Sequence, residues 1–305
     1  MGKRRLMRFY RRKQKKSALI PYGITLDSYS YFWTHDKYIN EQANDGSADC
    51  CQASHNFREF APSRRLASHV AAYWTVDFLP VPGNPGHRVI PDGCVDITVD
   101  LLASSSRQAA YVVGLTTQVE VMNFTIARSV WGIRLYSESA RTILKSPIST
   151  LAANRVFLED LWGQEALDWV EKLLTAQSLP DRIEVVEQQL GQILAATEAP
   201  APTLVYQSMQ YIYEVKGNLS VTDLADKVNF SERHLRRAFE LELGLSPKEM
   251  LGIVRFQSVL EELNSGDYFS LTDLALQHGY YDQSHFAGVF KRYYGLPLKR
   301  LTKQE

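Results

Sequence analysis

The sequence predicts an α+β fold class: a small amino-terminal β-barrel or sandwich with a helical connector, then an all-α domain of two helix-turn-helix units. Three observations predict it. Short runs rich in Val, Ile and aromatic residues crowd positions 57 to 136, helical periodicity replaces them from 137 to 195, and one pattern is written twice between 220 and 297.

From the start of the chain, residues 1 to 16 carry nine Lys and Arg and no acid. Such a run can bind nucleic acid or a membrane surface, or be an unstructured extension. Residues 17 to 56 are polar and lack a sustained period, so residues 1–56 are expected to form a basic, disordered tail. SALIPYGITL is too short an apolar run for a signal peptide, and no segment approaches the roughly 20 apolar residues that span a bilayer. A cytoplasmic protein with no membrane partner is the expectation. Cys50, Cys51 and Cys94 fit a reducing compartment. Cys50 and Cys51 have no second ligand pair, and His87, Asp92, Cys94 and Asp96 lack metal-ligand spacing, so neither a metal nor a cofactor is expected.

The runs HVAAYWTVDF, RVI, CVDITVDLL, AAYVVGLTT, QVEVMNFTIA and SVWGIRLY have strand length and are separated by turn chemistry such as PGNPG, PDG and SSS. Their aromatics, Tyr73, Trp74, Phe78, Tyr111, Phe124 and Trp131, either fill a plain core or line an apolar ligand pocket. Beyond residue 137 the spacing turns helical. Ile183, Val186, Leu190, Ile193 and Leu194 form a stripe suited to packing on the barrel or on a sister subunit. Pro200 and Pro202 then break the pattern in a semi-rigid linker. The predicted division is 57–195 for the β-rich domain and its connector, 196–202 for the linker and 203–305 for the all-α domain.

The doubled pattern is physically legible. Ser220, Thr222, Asp223, Leu224, Ala225 and Phe230 fall 50 residues before Ser270, Thr272, Asp273, Leu274, Ala275 and Tyr280. After one inserted residue, Leu235, Phe239, Gly244 and Leu245 fall 51 before Phe286, Phe290, Gly295 and Leu296. Ser220 and Ser270, each three residues before an Asp, start a helix. Asn229 and Gly279 take a left-handed conformation most readily and turn the chain, with Phe230 or Tyr280 as an apolar plug. Ser231 or Asp282 then caps a second helix that runs to Gly244 or Gly295.

In the first of these second helices, Leu235, Ala238, Phe239 and Leu243 form the apolar stripe, while Arg233, Arg236 and Arg237 share another face. An arginine fork matches guanine O6 and N7 and also grips phosphate. Taken alone, the three arginines also suit a solvated charged face. In the second copy Gln283, Ser284 and His285 are the candidate base readers, and Gln283 has the chemistry to pair with adenine. Lys291, Arg292 and, in the first copy, His234 are candidate phosphate contacts, which position without reading sequence.

Residues from about 203 to 300 resemble the DNA-binding domain of AraC/XylS-family transcription regulators, on LADKVNFSERHLRRAFELELGLSPKEML, ALQHGYYDQSHFAGVFKRYYG and the intervening helix with Arg255 and Phe256. The resemblance implies two units joined by a long helix, about Pro247 to Asn264, that sets them in adjacent major-groove segments. Two positions depart from the pattern. Pro297 falls early, which disfavours a regular last helix, and Gly288 stands where a larger side chain is common. The segments FREFAPSRRLASHVAAYW, VIPDGCVDITVDL, YVVGLTT and WGIRLY resemble an amino-terminal domain often joined to AraC-type domains, which implies sensing or assembly.

Formal net charge is zero, and residues 203–305 carry 12 basic against 13 acidic side chains, so DNA binding must depend on local placement of cations. The function expected is sequence-specific transcription regulation. Double-stranded DNA is the expected partner, with room for a small-molecule effector, RNA polymerase and a second copy of the chain. A constitutive architectural protein and a DNA-tethered enzyme are the rivals. With no Gly-rich phosphate loop and no activated serine, the chain is not expected to be an enzyme.

Overall fold

The computed structural model describes residues 57–79, 87–122, 125–151, 155–197, 203–266 and 268–298. The expected tail, Cys50, Cys51, Phe124 and most of the linker lie outside them. Period-two runs become strands β1 (Arg58–Phe60), β2 (Val70–Phe78), β3 (His87–Val89), β4 (Cys94–Asp100), β5 (Ala110–Val113), β6 (Glu120–Met122), β7 (Arg128–Tyr136) and β8 (Val156–Phe157). Six of these make one antiparallel sheet in the order β1-β2-β7-β4-β5-β8, and β3 pairs with β6 in a separate ribbon.

Of the expected barrel or sandwich, the sheet is sandwich-like and not closed. Its outer strand β8 pairs with β5 at only Tyr111 and Val112 before the chain leaves as helix, and among the described residues no strand bridges β8 to β1. The connecting helices are α1 (Ser106–Ala109), α2 (Ser137–Leu144), α3 (Leu158–Trp162), α4 (Gln164–Thr175) and α5 (Leu179–Ala196), with a 3-10 helix at Ile148–Leu151.

Alternation along each strand gives the sheet two different faces. Tyr73, Ile97, Val112, Trp131 and Ile133 point to one side and share a core with Ile143 of α2, Trp169 of α4 and Leu190 of α5. Their immediate neighbours point the other way. Trp74, Val76, Phe78 and Val130 form a second, smaller cluster with Phe57 packed on it. Gly132 makes this second face possible, because a Cβ there would lie 1.9 Å from the Trp74 ring.

The carboxy-terminal region is all helix: α6 (Leu204–Glu214), α7 (Val221–Lys227), α8 (Glu232–Leu243), α9 (Pro247–Ser265), α10 (Leu271–Gln277) and α11 (Gln283–Tyr294). The expected caps form. Ser220, Ser231 and Ser270 accept from the backbone N–H three residues on, as does Asp282, and Ser246 with Glu249 closes a full capping box. Asn229 and Gly279 turn the two units at φ of 57° and 71°. Phe230 is a correction to the expected plug. Tyr280 is buried, but Phe230 is 43% exposed, with its ring 5.0 Å from that of His234. The left-handed turn and the Phe230 N–H bond to the Ala225 carbonyl fix the first turn without a buried ring.

One continuous apolar core runs from Leu66 to Leu298, so the β-rich region and the helical region are packed together.

Candidate nucleic-acid interface

Burial of Leu235, Phe239 and Leu243 fixes which way α8 faces, and Arg233, Arg236 and Arg237 are thereby turned outward. Arg236 is held from behind. Thr222 Oγ1 donates to Glu232 Oε1 at 2.5 Å, and Arg236 Nη2 donates to Glu232 Oε2 at 2.8 Å. These two hydrogen bonds, from Thr222 first and Arg236 second, keep the Glu232 carboxyl below its ordinary range. The arrangement orders Arg236 on a solvent-facing edge, with its side chain still 57% exposed.

The second unit uses the same joint with different readers. Thr272 Oγ1 donates to Gln283 Oε1 at 3.4 Å, so Gln283 occupies the position of Glu232. At the places of Arg233, Arg236 and Arg237 stand Ser284, Ala287 and Gly288. Ser284 and His285 are exposed, and Ala287 is half-buried. A Cβ on Gly288 would meet nothing within 4 Å, which leaves a flat, open patch. The His285 N–H donates to Asp282, and its Nδ1 accepts from the Tyr281 N–H at 3.4 Å. Lys291 and Arg292 are exposed near the helix end, with the Arg292 guanidinium 5.6 Å from the Tyr293 ring. The sequence reading missed Tyr281. It is the inserted residue between the two halves of the second unit, it is 86% exposed beside the start of α11, and the insertion itself was the signal.

Arg255 of α9 bolts the two units together. Its Nε and Nη2 donate to the Gly217 carbonyl at 3.1 and 2.8 Å, and its Nη1 donates to the Gly279 carbonyl at 3.4 Å. The carbonyls belong to the loop ahead of the first unit and to the turn of the second. Both glycines are left-handed and tightly packed: a Cβ on Gly279 would fall 2.2 Å from Asn218 Oδ1, and one on Gly217 would fall 2.4 Å from the Leu251 carbonyl oxygen. His278 Nε2 lies 2.9 Å from Glu262 Oε2, a second tie between α9 and the second turn.

Hydrogen bonds from the β-rich region reach α8, α9 and α11. Ser149 Oγ donates to the Leu241 carbonyl at 2.7 Å, at the end of α8. The Val119 N–H donates to the Arg292 carbonyl at 3.4 Å, near the end of α11. Between them, Gln257 Nε2 of α9 donates to the Pro91 carbonyl at 2.6 Å. Both second helices are thus held by their carboxy-terminal ends, and their amino-terminal halves face out.

Of the aromatics expected in a core or a pocket, Tyr73 and Trp131 lie in the helix-facing core. Trp74, Phe78 and Tyr111 line a cavity of about 110 Å3 between the other sheet face and the β3–β6 ribbon. On this face burial pushes the Asp96 carboxyl up, with Arg134 opposing the shift and Asp92 adding to it.

Residues 58–157 match a family described as a domain of unknown function (DUF6597), and residues 224–304 match one described as a helix-turn-helix domain. An uncharacterised HTH-type transcriptional regulator of Haemophilus influenzae is 36% identical over 157 residues, 52% of this chain and 51% of that protein. An uncharacterised HTH-type transcriptional regulator of Staphylococcus aureus is 33% identical over 76 residues, 25% of this chain and 10% of that protein. The chain therefore spans about half the length of the first relative and a tenth of the second. The C-terminal domain of AraT, a response regulator from Geobacillus stearothermophilus, is 25% identical over 35% of this chain and 89% of its own, at a TM-score of 0.31.

Proposed function

We propose that this chain, whose carboxy-terminal domain belongs to the AraC-type helix-turn-helix family, is a sequence-specific DNA-binding transcription regulator whose two units enter adjacent major-groove segments. The observation that carries this is the joint geometry. Two capped helices with outward-facing amino-terminal halves are bolted to one long helix by Arg255, and one of them exposes Arg233, Arg236 and Arg237.

In this reading Arg233, Arg236 and Arg237 discriminate bases, with His234 at the backbone. Ser284 and His285 touch the second segment, and Gln283, whose Oε1 accepts from Thr272, pairs bidentately with a base only by leaving Thr272. Lys291 and Arg292 clamp phosphates and set register. The first unit supplies most of the discrimination, because Ala287 and Gly288 offer at most a methyl contact or close approach. Residues 203–305 form the DNA-binding domain, and residues 57–195 sense an effector or hold a second copy of the chain. RNA polymerase is the partner through which such a regulator acts. The protein carries out no catalysis.

The test is selection of bound sequences from a random DNA library with the full-length protein and with the Arg236→Ala, Arg237→Ala double variant. The wild type should enrich a motif of two adjacent half-sites, and the variant should lose one half. A wild-type motif that survives intact in the variant contradicts the assignment of α8 as the principal reader.

A further inference from the structure

The joint between the two helices is built alike in both units but leaves opposite hydrogen-bonding groups over. In each, a threonine of the first helix donates to Oε1 of the residue that opens the second: Thr222 to Glu232 and Thr272 to Gln283. Glu232 keeps a carboxylate, an acceptor with about four lone-pair sites, of which Thr222 and Arg236 occupy one each. Its side chain is 38% exposed, and the two bonds hold the carboxyl below its ordinary range, so at neutral pH it only accepts. Gln283 is exposed and keeps the opposite group. With Oε1 on Thr272, its Nε2 is left as a donor. The residue four places on follows suit, since Arg236 bonds the carboxylate where the amide has only Ala287.

We infer that Glu232 is a specificity-determining residue that reads cytosine in the first half-site, and that Gln283 disfavours cytosine at the corresponding place in the second. The inference rests on the regulator reading above and names a base that its first unit selects. In the major groove cytosine presents its N4 donor and no acceptor, whereas guanine, adenine and thymine each present at least one acceptor. A group that only accepts therefore matches cytosine best. Adenine also has a donor, but its N7 lone pair lies beside it and repels a carboxylate. A held amide that donates finds a partner on every base except cytosine.

Position supports the assignment. Reading helices present their amino-terminal residues to base edges, and Glu232 and Gln283 are the first residues of α8 and α11. Glu232 is also bonded to Arg236 one turn on, so the pair sets an acceptor beside a guanidinium donor and suits cytosine next to guanine. The local alternative, in which Glu232 only favours the helix dipole and orients Arg236, selects no base of its own.

Selection from a random DNA library separates the two roles, using the full-length protein as wild type, Glu232→Gln, Gln283→Glu and Arg236→Ala. The wild type should show cytosine in the half-site where Arg236→Ala relaxes guanine, and Arg236→Ala should keep that cytosine. Glu232→Gln should replace it by a base with an acceptor. In competition binding the advantage of cytosine over thymine there should fall about ten-fold or more, the scale of a hydrogen bond to a charged group. Gln283→Glu should gain cytosine in the other half. Both exchanges preserve side-chain length, circular dichroism reports whether each variant stays folded, and either one carries the test if the other does not. Cytosine retained in Glu232→Gln with only guanine weakened would make Glu232 a positioning residue and overturn the inference, as would a first half-site without cytosine or no gain in Gln283→Glu. A wild-type motif indifferent to Glu232 removes this inference alone, whereas no enriched motif removes the regulator reading with it.

Discussion

Arg237 stands on the open face of α8 beside Arg236, which Glu232 already orients. Arg237→Ala should cost about 1 to 3 kcal/mol on the preferred DNA site and clearly less on scrambled DNA, as measured by fluorescence anisotropy. Equal loss on both would make it a phosphate contact. Thr222→Val tests the joint behind Arg236. It removes the bond to Glu232, so specific affinity should drop several-fold while stability changes by no more than roughly 0.5 kcal/mol, since Thr222 is exposed. The three arginines were legible in the sequence because the apolar stripe of one helix dictates what faces away from it. Gln283 was not fully legible. Its residue type suggests adenine, but its position next to Thr272 depends on how two helices cross, and only the repeated Thr222 and Thr272 hinted at it.

At the scale of elements, the Arg255 bolt should set how strictly the two half-sites are spaced. Arg255→Ala should lower affinity for the native spacing yet reduce the penalty for inserting a base pair between halves, as read by competition binding. An unchanged spacing preference would place the constraint in α9 alone. Gly279→Ala should destabilise by at least about 1 to 2 kcal/mol from left-handed strain, before the close contact with Asn218 is counted. Glu138 adds a pH-dependent contact between α2 and α6, where Tyr213 Oη donates to its Oε2 at 3.3 Å. Burial, the largest influence, pushes this carboxyl up to about 7. Unfolded, it titrates near about 4.3. Between those values the folded state keeps a proton that the unfolded state has lost, so stability falls as pH rises through the window and levels off above it. Urea midpoints should therefore show a fall from about pH 5 to about pH 8 that Glu138→Gln reduces; an identical fall in the variant would assign it to other groups. The helical elements were readable from caps and spacing, and α9 ends one residue beyond its expected limit. Strand runs were readable too, but closure was not, because it depends on what happens after β8, a strand of two residues.

At the scale of the whole molecule, one apolar core joins the β-rich and helical regions, and Ser149, Pro91 and Val119 hydrogen-bond to α8, α9 and α11. Calorimetry should show a single cooperative transition; two resolved transitions would mean that the regions unfold independently. None of this docking was visible in the sequence, where Pro91 and Val119 read as turn and strand residues. The central claim is that two units read adjacent half-sites unequally, with the arginine-bearing α8 dominant. The most direct measurement is competition binding of the full-length protein to its selected site with either half scrambled in turn. The account predicts that scrambling the half contacted by α8 costs at least about ten-fold more affinity than scrambling the other. Equal penalties, or a larger penalty in the half contacted by α11, would contradict it.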